Sequence, residues 1–416
     1  MEFKKQKKEK VLGINGLGRI GKLSLWHHIG RRYFDRIVVN LGRGSGEGIK
    51  TIAEMVEKDT TYGRMHHFLK GRQARSLIKI PEGSSNQLFI DNIPVTFLTA
   101  ARNPREINWR GENVELVVDT TGAFVDPTHA ADYAKGSLRG HLEAGAKKLI
   151  LSAPFKIKTK GMKMPEDAAM FIYGINHAAF DPAKHSLLAA ASCTTTGLAH
   201  MIKPLLEHKE SKEILTASMS TVHAATNSQS VLDTVPADGA KDLRKTRSIL
   251  NNIILTSTGA AKALEQVIPE MNGIGFMADS VRIPTQTASL IILNITFLSE
   301  LDEFGDSKIN RNFINRLYKE AEEKNQGLLR VSYEQNVSAD MIGEDAAVLI
   351  EGSETHTRTG FINLDLANIP GIDAADLKMI NIPVTHAKIF GWYDNEYGSY
   401  TNRLAELTCY VHEMMI

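Results

Sequence analysis

The chain is poor in cysteine: only Cys193 and Cys409 occur among its 416 residues. Two thiols in a chain of this length exclude a disulfide-built scaffold and favour a reducing compartment, so we expect a cytoplasmic protein. The same scarcity excludes a zinc site built from cysteine clusters, and we predict no bound metal.

The sequence also lacks long apolar runs and an excess of charge of either sign. No run reaches the roughly eighteen apolar residues needed to span a bilayer, so we expect no membrane partner. Lys plus Arg number 49 and Asp plus Glu 48, which argues against a nucleic-acid surface. The basic N-terminus, Met1 to Lys10, has no apolar core behind it. We interpret it as a solvated tail rather than a leader, with targeting or anchoring as the alternative.

Residues 1–150 are predicted to form a doubly wound α/β domain, and the chain length suits two domains. A buried run at Val11–Asn15, a glycine-rich turn, a helical pattern and a second buried run at Arg36–Asn40 are typical of a parallel βαβ unit. Further predictions are strands at Val95–Leu98, Val114–Asp119 and Lys148–Ser152, a helix over His141–Lys147 and a surface excursion over Gly71–Gln87.

In the second half of the chain the pattern changes and predicts an α+β domain with a mixed or antiparallel sheet. The predicted strands are Ile214–Val222, Ser289–Phe297 and Ala387–Trp392, and the predicted helical stretches lie within Lys308–Lys324, Ala339–Ile350 and Asn402–Ile416.

The turn Gly16-Leu17-Gly18-Arg19-Ile20-Gly21 has G-x-G-x-x-G spacing between a predicted strand and a predicted helix, as dinucleotide-binding turns do. Its glycines would let the backbone approach a pyrophosphate at the positive end of the helix; a purely structural tight turn is the alternative. The acidic residue expected to hold a ribose 2′-hydroxyl is absent, because Asn40-Leu41-Gly42-Arg43-Gly44 stands there. The sequence therefore allows either NAD or NADP as the cofactor. Arg43 would contact a 2′-phosphate in one interpretation and would be only a loop cation in the other.

Cys193 stands immediately before a predicted helix, where the helix dipole and N–H groups favour a thiolate. His223 follows the strand-like Ala217–Val222, so a Cys and a His lie at two element ends and suit an activated nucleophile. From spacing alone, an isolated cysteine buried as a small hydrophobe is the commoner case.

A set of short motifs decides between these alternatives. They are, in chain order, Asn15–Gly21, Asp59–Arg64, Asp119–Phe124, His141–Pro154, Ser192–Thr195, Val222–Ala224, Ser257–Lys262, Arg282–Thr285 and Trp392–Glu396. Together they resemble the glyceraldehyde-3-phosphate dehydrogenase family over nearly the whole chain. The resemblance implies a Rossmann-type dinucleotide-binding domain over residues 1–192, completed by a C-terminal helix at 396–416, and a catalytic domain over 193–395.

The resemblance also implies the reaction. Glyceraldehyde 3-phosphate would be oxidised to 1,3-bisphosphoglycerate through a thiohemiacetal and a thioester on Cys193, with hydride passing to NAD or NADP and inorganic phosphate cleaving the thioester. His223 would depress the thiol pKa, take the proton and donate to the developing oxyanion, with help from the Cys193 backbone N–H. A cytoplasmic homotetramer is implied, with a dimer as the alternative.

Ligand-binding residues are carried over position by position. Those expected at the dinucleotide are Gly16, Gly18, Arg19, Ile20, Leu41, Arg43, Thr121, Gly122, Ser152 and, at the nicotinamide carboxamide, Asn395. Those expected at the attacking phosphate are Ser192, Thr194, Thr258 and Gly259, and those at the substrate's own phosphate are Thr226 and Arg282, with Lys245 where the family has a phosphate-contacting arginine.

The chain departs from the family pattern at several positions. They are Ala225, Ser228, Lys245, Thr196–Gly197 and Ser399, with insertions at 234–240 and at roughly 351–370. These departures leave two alternatives open: an erythrose-4-phosphate dehydrogenase on the same scaffold, and a non-catalytic paralogue that binds a nucleotide, a sugar phosphate or RNA.

Overall fold

The computed structural model describes residues 8–325, 327–371 and 379–416. It divides into two compact units: the first runs to Ser192 and includes Tyr400–Ile416, and the second is Cys193–Ser399. Residues 1–7 of the basic N-terminal segment lie outside the described residues.

Parallel strands dominate the first unit. Its strands are β1 (Val11–Asn15), β2 (Arg36–Asn40), β3 (Lys58–Asp59), β4 (Gly63–Arg64), β5 (Ile78–Lys79), β6 (Gln87–Ile90), β7 (Ile93–Leu98), β8 (Leu116–Asp119), β9 (Lys148–Leu151), β10 (Ala168–Met170) and β11 (Leu187–Ala189). Its helices are α1 (Arg19–Arg31), α2 (Ile49–Glu57), α3 (Met65–Lys70), α4 (Leu138–Glu143) and a C-terminal helix (Asn402–Glu413), with 3-10 turns at Pro104–Glu106 and His177–Ala179.

The strand order of this sheet is β10-β11-β9-β8-β1-β2-β7-β6-β5, while β3 and β4 form a separate ribbon. Pairing is parallel from β10 to β7 and antiparallel for β7–β6 and β6–β5. The residues of β1, β8 and β9 are buried throughout, as expected for parallel strands covered on both faces. The predicted doubly wound Rossmann-type fold is confirmed.

The early strand predictions hold, whereas one helix prediction is displaced. β1 and β2 have the predicted bounds. The helix predicted over His141–Lys147 instead occupies Leu138–Glu143, since Ser137 caps its start and Gly145 ends it with a φ of +123°. The excursion Gly71–Gln87 holds the two-residue strand β5, turns and irregular backbone, and its last residue begins β6.

The second unit mixes helices with a larger mixed sheet, which confirms the predicted α+β class. Its helices are α5 (Cys193–Glu207), α6 (Ala260–Val267) and α7 (Arg311–Lys324), and its strands are β12 (Ile214–Ala224), β13 (Ile254–Ser257), β14 (Gly275–Ile283), β15 (Ser289–Leu298), β16 (Leu329–Ser332), β17 (Val348–Glu351), β18 (His356–Asp365) and β19 (Met379–Tyr393). Short 3-10 turns lie at Leu243–Thr246, Pro269–Met271, Ser338–Met341, Gly352–Glu354 and Leu366–Asn368, and a π-helical turn lies at Tyr397–Thr401.

The strand order is β13-β14-β12-β15-β19-β17-β16, with β18 paired to the first part of β19. β12 runs parallel to β14 and antiparallel to β15. Alternate residues of β15 are buried, and α5 packs against β15, β17 and β19. The parallel register of β12 with β14 sets His223 beside Arg282.

Two regions differ from the sequence predictions. The stretch Ala339–Ile350 contains three residues of the 3-10 turn Ser338–Met341 and the start of β17, so its helical part is limited to that turn. The insertion at 351–370 is not a simple loop, because half of it forms β18, which pairs antiparallel with β19 over ten residue pairs. In the part of the chain that the structure describes, no helix is both long enough and apolar enough to cross a membrane.

Candidate active site

Cys193 and His223 lie together in the second unit. Cys193 is the first residue of α5, and His223 is the penultimate residue of β12. The Cys193 Sγ lies 3.5 Å from the His223 Nε2. The His223 Nδ1 lies 2.8 Å from the backbone oxygen of Ala224, to which it can donate. When the ring carries its proton on Nδ1, as this contact favours, Nε2 can accept a proton from the thiol; the Arg282 Nη1, which can only donate, contacts the same Nδ1 and favours the other tautomer.

Arg282 supplies a fixed positive charge at this pair. Its Nη1 contacts the His223 Nδ1 and also lies 3.2 Å from the Ala224 oxygen. Burial, reinforced by this guanidinium, lowers the pKa of His223 to about 3, so the imidazole is neutral at pH 7. Burial dominates and raises the pKa of the Cys193 thiol above its usual value, while Arg282 and the Thr194 N–H and hydroxyl offset part of that rise. The structure therefore adds Arg282 as a cation that favours the thiolate.

A buried tyrosine, which sequence reasoning missed, connects α5 to β12. The Tyr393 hydroxyl lies 2.8 Å from the Thr194 Oγ1 and 2.8 Å from the Thr221 Oγ1. Its ring meets the His223 ring edge-on, with 6.1 Å between centroids. Burial raises the pKa of Tyr393 well above its usual value, so it acts as a neutral hydrogen-bonding group. Its signal was its place in the motif Trp392–Glu396.

Asn395 is held by two hydroxyl groups. Its Oδ1 accepts from the Ser289 Oγ at 3.1 Å and from the Thr287 Oγ1 at 3.3 Å. Ala288, between them, has a φ of +65°, a left-handed conformation uncommon for a residue with a side chain. The Ser289 Oγ also accepts from the Ala224 N–H at 3.0 Å, which links Asn395 to the end of β12. The Nδ2 of Asn395 is the donor end that a ligand could use.

The start of α6 suits an anion. Gly259 caps the helix without a side-chain hydrogen bond, and no acidic residue lies in the first turn. A Cβ built on Gly259 would meet nothing within 4 Å. The neighbouring Thr258 Oγ1 accepts from the Ala260 N–H at 3.2 Å. Backbone N–H groups and the positive helix end therefore lie beside open space, as phosphate sites require.

Two predicted phosphate residues are not joined to the Cys193–His223 pair. The Thr226 Oγ1 donates to the Gln229 Oε1 at 3.0 Å and lies 2.9 Å from the Ser228 Oγ. Lys245 lies exposed in the 3-10 turn Leu243–Thr246. Within the described ranges, no hydrogen bond or ion pair joins either residue to Cys193 or His223.

The glycine-rich turn in the first unit fits a dinucleotide. Gly16 has a φ of +98°, which favours glycine. A Cβ on Gly21 would lie 2.1 Å from the Gly16 oxygen, so only glycine permits this approach of α1 to the turn. A Cβ on Gly18 would meet nothing within 4 Å, and α1 starts without a side-chain cap or an acidic residue in its first turn, where Ile20 lies. This is the backbone cradle that a pyrophosphate needs.

The other predicted dinucleotide residues of this unit follow the carboxyl ends of parallel strands. Leu41 and Arg43 follow β2, Thr121 and Gly122 follow β8, and Ser152 follows β9. Strand order reverses between β1 and β8, and ligands of doubly wound sheets bind at such a switch point.

The side chains around this edge refine the sequence interpretation. Arg19 forms an ion pair with the buried Asp59, which it shares with Lys22 at 2.7 Å, so one carboxylate faces two cations. Asn40, at the end of β2, is 2% exposed and donates to the Asn15 Oδ1 at 2.9 Å. Arg43 is exposed, and Arg102, which the sequence did not single out, donates from Nε to the Gly42 oxygen at 3.2 Å.

Comparisons with known proteins agree with this architecture. Residues 10–127 match the family model described as the NAD binding domain of glyceraldehyde 3-phosphate dehydrogenase, and residues 192–395 match the model of its C-terminal domain. Glyceraldehyde-3-phosphate dehydrogenase 2 of Streptomyces avermitilis is 31% identical over 403 residues, covering 96% of this chain and 98% of the relative.

Two further relatives have the same extent of similarity. Glyceraldehyde-3-phosphate dehydrogenase 1 of Bacillus subtilis is 31% identical over 401 residues, which cover 96% of this chain and 97% of the relative. The cytosolic glyceraldehyde-3-phosphate dehydrogenase of Craterostigma plantagineum is 32% identical over 397 residues, which cover 95% of this chain and 96% of the relative. The family expected from the motifs is confirmed: the chain belongs to the glyceraldehyde-3-phosphate dehydrogenase family.

Proposed function

We propose that this protein catalyses the phosphorylating oxidation of glyceraldehyde 3-phosphate to 1,3-bisphosphoglycerate, with a nicotinamide dinucleotide as hydride acceptor. Family membership and the names of the relatives support the reaction class. The observation that carries the proposal is the separation of 3.5 Å between the Cys193 Sγ and the His223 Nε2 at the start of α5. Covalent acyl chemistry needs such a nucleophile with a base in reach.

The first half-reaction would start with proton transfer from the Cys193 thiol to the His223 Nε2. The sulfur then attacks the aldehyde carbon, the C=O π bond opens, the carbonyl oxygen takes the proton back from the His223 Nε2, and a thiohemiacetal forms beside a neutral imidazole. The Cys193 backbone N–H, at the helix start, would stabilise negative charge on that oxygen. A bound oxidised nicotinamide supplies the hydride acceptor, and His223 takes the hydroxyl proton as the thiohemiacetal becomes a thioester.

His223 needs a higher pKa for this step than it has beside Arg282 alone. The guanidinium is the second cause, after burial, of the pKa of about 3. A substrate phosphate held by Arg282 would compensate that positive charge and raise the pKa of His223. Binding of a phosphorylated aldehyde would therefore ready the base, which links substrate choice to catalysis.

The second half-reaction would use inorganic phosphate. Thr258 and Gly259 at the start of α6, with Ser192 and Thr194, are the proposed phosphate ligands. A phosphate oxygen attacks the thioester carbon, the C–S bond breaks, and the sulfur leaves as a thiolate. Thr226, Arg282 and Lys245 are proposed for the substrate's own phosphate, of which Arg282 has the planar donor geometry that suits it.

The dinucleotide would be held by the glycine-rich turn and by the turns after β2, β8 and β9, with Asn395 at the carboxamide. No carboxylate stands at the end of β2, where Asn40 lies, while the exposed Arg43 follows. Neither feature repels a 2′-phosphate, so both NAD and NADP are to be tested.

We also propose a cytoplasmic homotetramer. The two-cysteine composition supports a reducing compartment, and the chain carries exposed apolar side chains near the inserted segment 234–240 that a subunit contact would cover. Val235 is 92% exposed and Leu232 is 69% exposed. Sedimentation equilibrium would test the tetramer, and a monomer or dimer would refute it.

Turnover with defined substrates tests the enzymatic proposal. Reduced-cofactor absorbance is followed with glyceraldehyde 3-phosphate, inorganic phosphate and either NAD or NADP, with erythrose 4-phosphate in a parallel series. We expect turnover with the triose and, without phosphate, a burst of one equivalent per active site. A higher kcat/KM for the tetrose would favour erythrose-4-phosphate dehydrogenase. No turnover with either aldehyde, together with equally slow alkylation of Cys193 and Cys409, would favour a non-catalytic binder.

A further inference from the structure

A buried carboxylate at the end of β8 gathers four hydrogen-bond donors. Asp119 is fully buried. Its Oδ1 accepts from the Thr121 N–H at 2.9 Å and from the Thr121 hydroxyl at 2.6 Å. Its Oδ2 accepts from the Asn15 Nδ2 at 2.8 Å and lies 3.0 Å from the His141 Nε2. Burial raises the pKa of this carboxyl, but its hydrogen-bond donors together lower the pKa by more than burial raises it. The carboxyl is therefore ionised at neutral pH.

A hydrogen bond from Trp109 fixes which ring nitrogen of His141 carries the proton. The Trp109 indole N–H, which can only donate, donates to the His141 Nδ1 at 2.9 Å. Nδ1 must therefore be the acceptor, and Nε2 carries the proton that faces Asp119. Both Trp109 and His141 are fully buried. Position 119 consequently has to accept on every side, which a carboxylate does and an amide does not.

The two residues held by Asp119 begin the two turns at the switch point. Asn15 is the last residue of β1, next to Gly16, and Thr121 lies in the turn after β8. The Thr120 Oγ1 donates to the backbone oxygen of Asn15 at 2.9 Å and to the backbone oxygen of Gly16 at 3.2 Å. A Cβ on Gly16 would lie 3.0 Å from the Thr120 Oγ1. The turns thus touch, and one carboxylate holds both.

We propose that Asp119 is a positioning residue for the dinucleotide. Its carboxylate fixes the spacing between the Gly16–Gly18 turn and the Thr121–Gly122 turn, and thereby sets dinucleotide affinity without contacting the ligand. The inference rests on the proposed function, because it takes a dinucleotide as the ligand of these turns.

Asp126 provides a matched control in the same unit. Its Oδ1 accepts from the Thr128 N–H at 3.0 Å and from the Thr128 hydroxyl at 2.6 Å, the same arrangement that Asp119 makes with Thr121. Its Oδ2 accepts from the Lys158 N–H at 2.9 Å, and the residue is 3% exposed. Asp126 does not end a strand at the switch point. Its replacement therefore measures the loss of a buried carboxylate alone.

The test compares Asp119→Asn with Asp126→Asn in the full-length protein. In either orientation, the amide introduced by Asp119→Asn would set an N–H against a donor, either His141 and Asn15 or the Thr121 N–H. We expect the Kd for NAD or NADP, measured by calorimetry, to rise about tenfold or more in Asp119→Asn and to change less than about twofold in Asp126→Asn. Both variants should lose thermal stability, and the alkylation rate of Cys193 should stay within about twofold of wild type in both.

The outcomes separate this inference from the proposed function. A wild-type protein that binds neither NAD nor NADP would refute both. Two outcomes would refute the positioning role alone, provided that wild type binds the dinucleotide tightly. One is an unchanged Kd in Asp119→Asn, and the other is an equal loss of dinucleotide affinity in both variants. If Asp119→Asn does not fold, Asn15→Ala removes the β1 donor and keeps the carboxylate. It carries the same expected loss, and a wild-type Kd in that variant would overturn the inference.

Discussion

Replacing Arg282 with Gln should shift the ionisation of Cys193 and His223 in the same direction. The substitution removes the guanidinium that contacts the His223 Nδ1. That guanidinium is one of the groups that lower the pKa of the Cys193 thiol against the effect of burial. A nearby positive charge favours the thiolate, so the pKa of the Cys193 thiol should rise when that charge is removed. The pKa of His223, about 3 with Arg282 present, should also rise, because one of the two causes of its lowering is lost.

The rate of Cys193 alkylation by iodoacetamide, measured across the pH range in which thiols ionise, reports the first shift. Below the midpoint the rate follows the thiolate fraction, so it should fall about 10- to 1000-fold in Arg282→Gln, which corresponds to about 1.4–4 kcal/mol. Titration of the imidazole by NMR reports the second shift.

Two controls accompany this measurement. Arg282→Lys keeps the charge and loses the planar donor fork, so its thiol midpoint should stay within about one unit of wild type. Burial raises the pKa of the Cys409 thiol to about 11, and Arg282 is not among the causes, so its labelling rate should be unchanged. A Cys193 midpoint in Arg282→Gln at or below the wild-type value would refute the assignment of Arg282 as the cation of this site.

Three further predictions follow from the same structure. Cys193→Ser should abolish aldehyde oxidation and leave the calorimetric Kd for the dinucleotide nearly unchanged, whereas Cys409→Ser should stay active; substantial oxidation by Cys193→Ser would show a different nucleophile. Arg43→Ala should lower the ratio of kcat/KM with NADP to that with NAD about tenfold or more if Arg43 meets a 2′-phosphate, and an unchanged ratio would make it a loop cation. The folded-state pKa values of Asp119 and Asp126 are lowered by their hydrogen-bond donors, so their contribution to the unfolding free energy is full above about pH 4 and is lost as the pH falls through the lowered values. Thermal unfolding against pH should therefore show an acid decline that is shallower in Asp126→Asn, and an unaltered decline would contradict this account.

Much of the first unit could be predicted from the sequence because its signals are local. A short apolar strand, a glycine-rich turn and a helix lie within residues 11–31, and strand β2 ends at Asn40 as predicted. The start of α5 at Cys193 could likewise be predicted from the residues next to it in the sequence. Strands such as β11 and β14 were missed, since β11 spans only three residues and β14 is half-exposed with a mixed pattern.

By itself, then, the sequence determined the family, the fold class and the glycine-rich turn, and it singled out the cysteine and the histidine that we propose as nucleophile and base. Only the tertiary structure decided which charges surround them. Arg282 meets His223 because β14 runs parallel to β12 in one particular register, across 59 residues of chain. Asp119 meets Asn15 across 104 residues and His141 across 22. Strand register and buried hydrogen-bond networks depend on contacts between distant segments, and no local pattern of residue types encodes them.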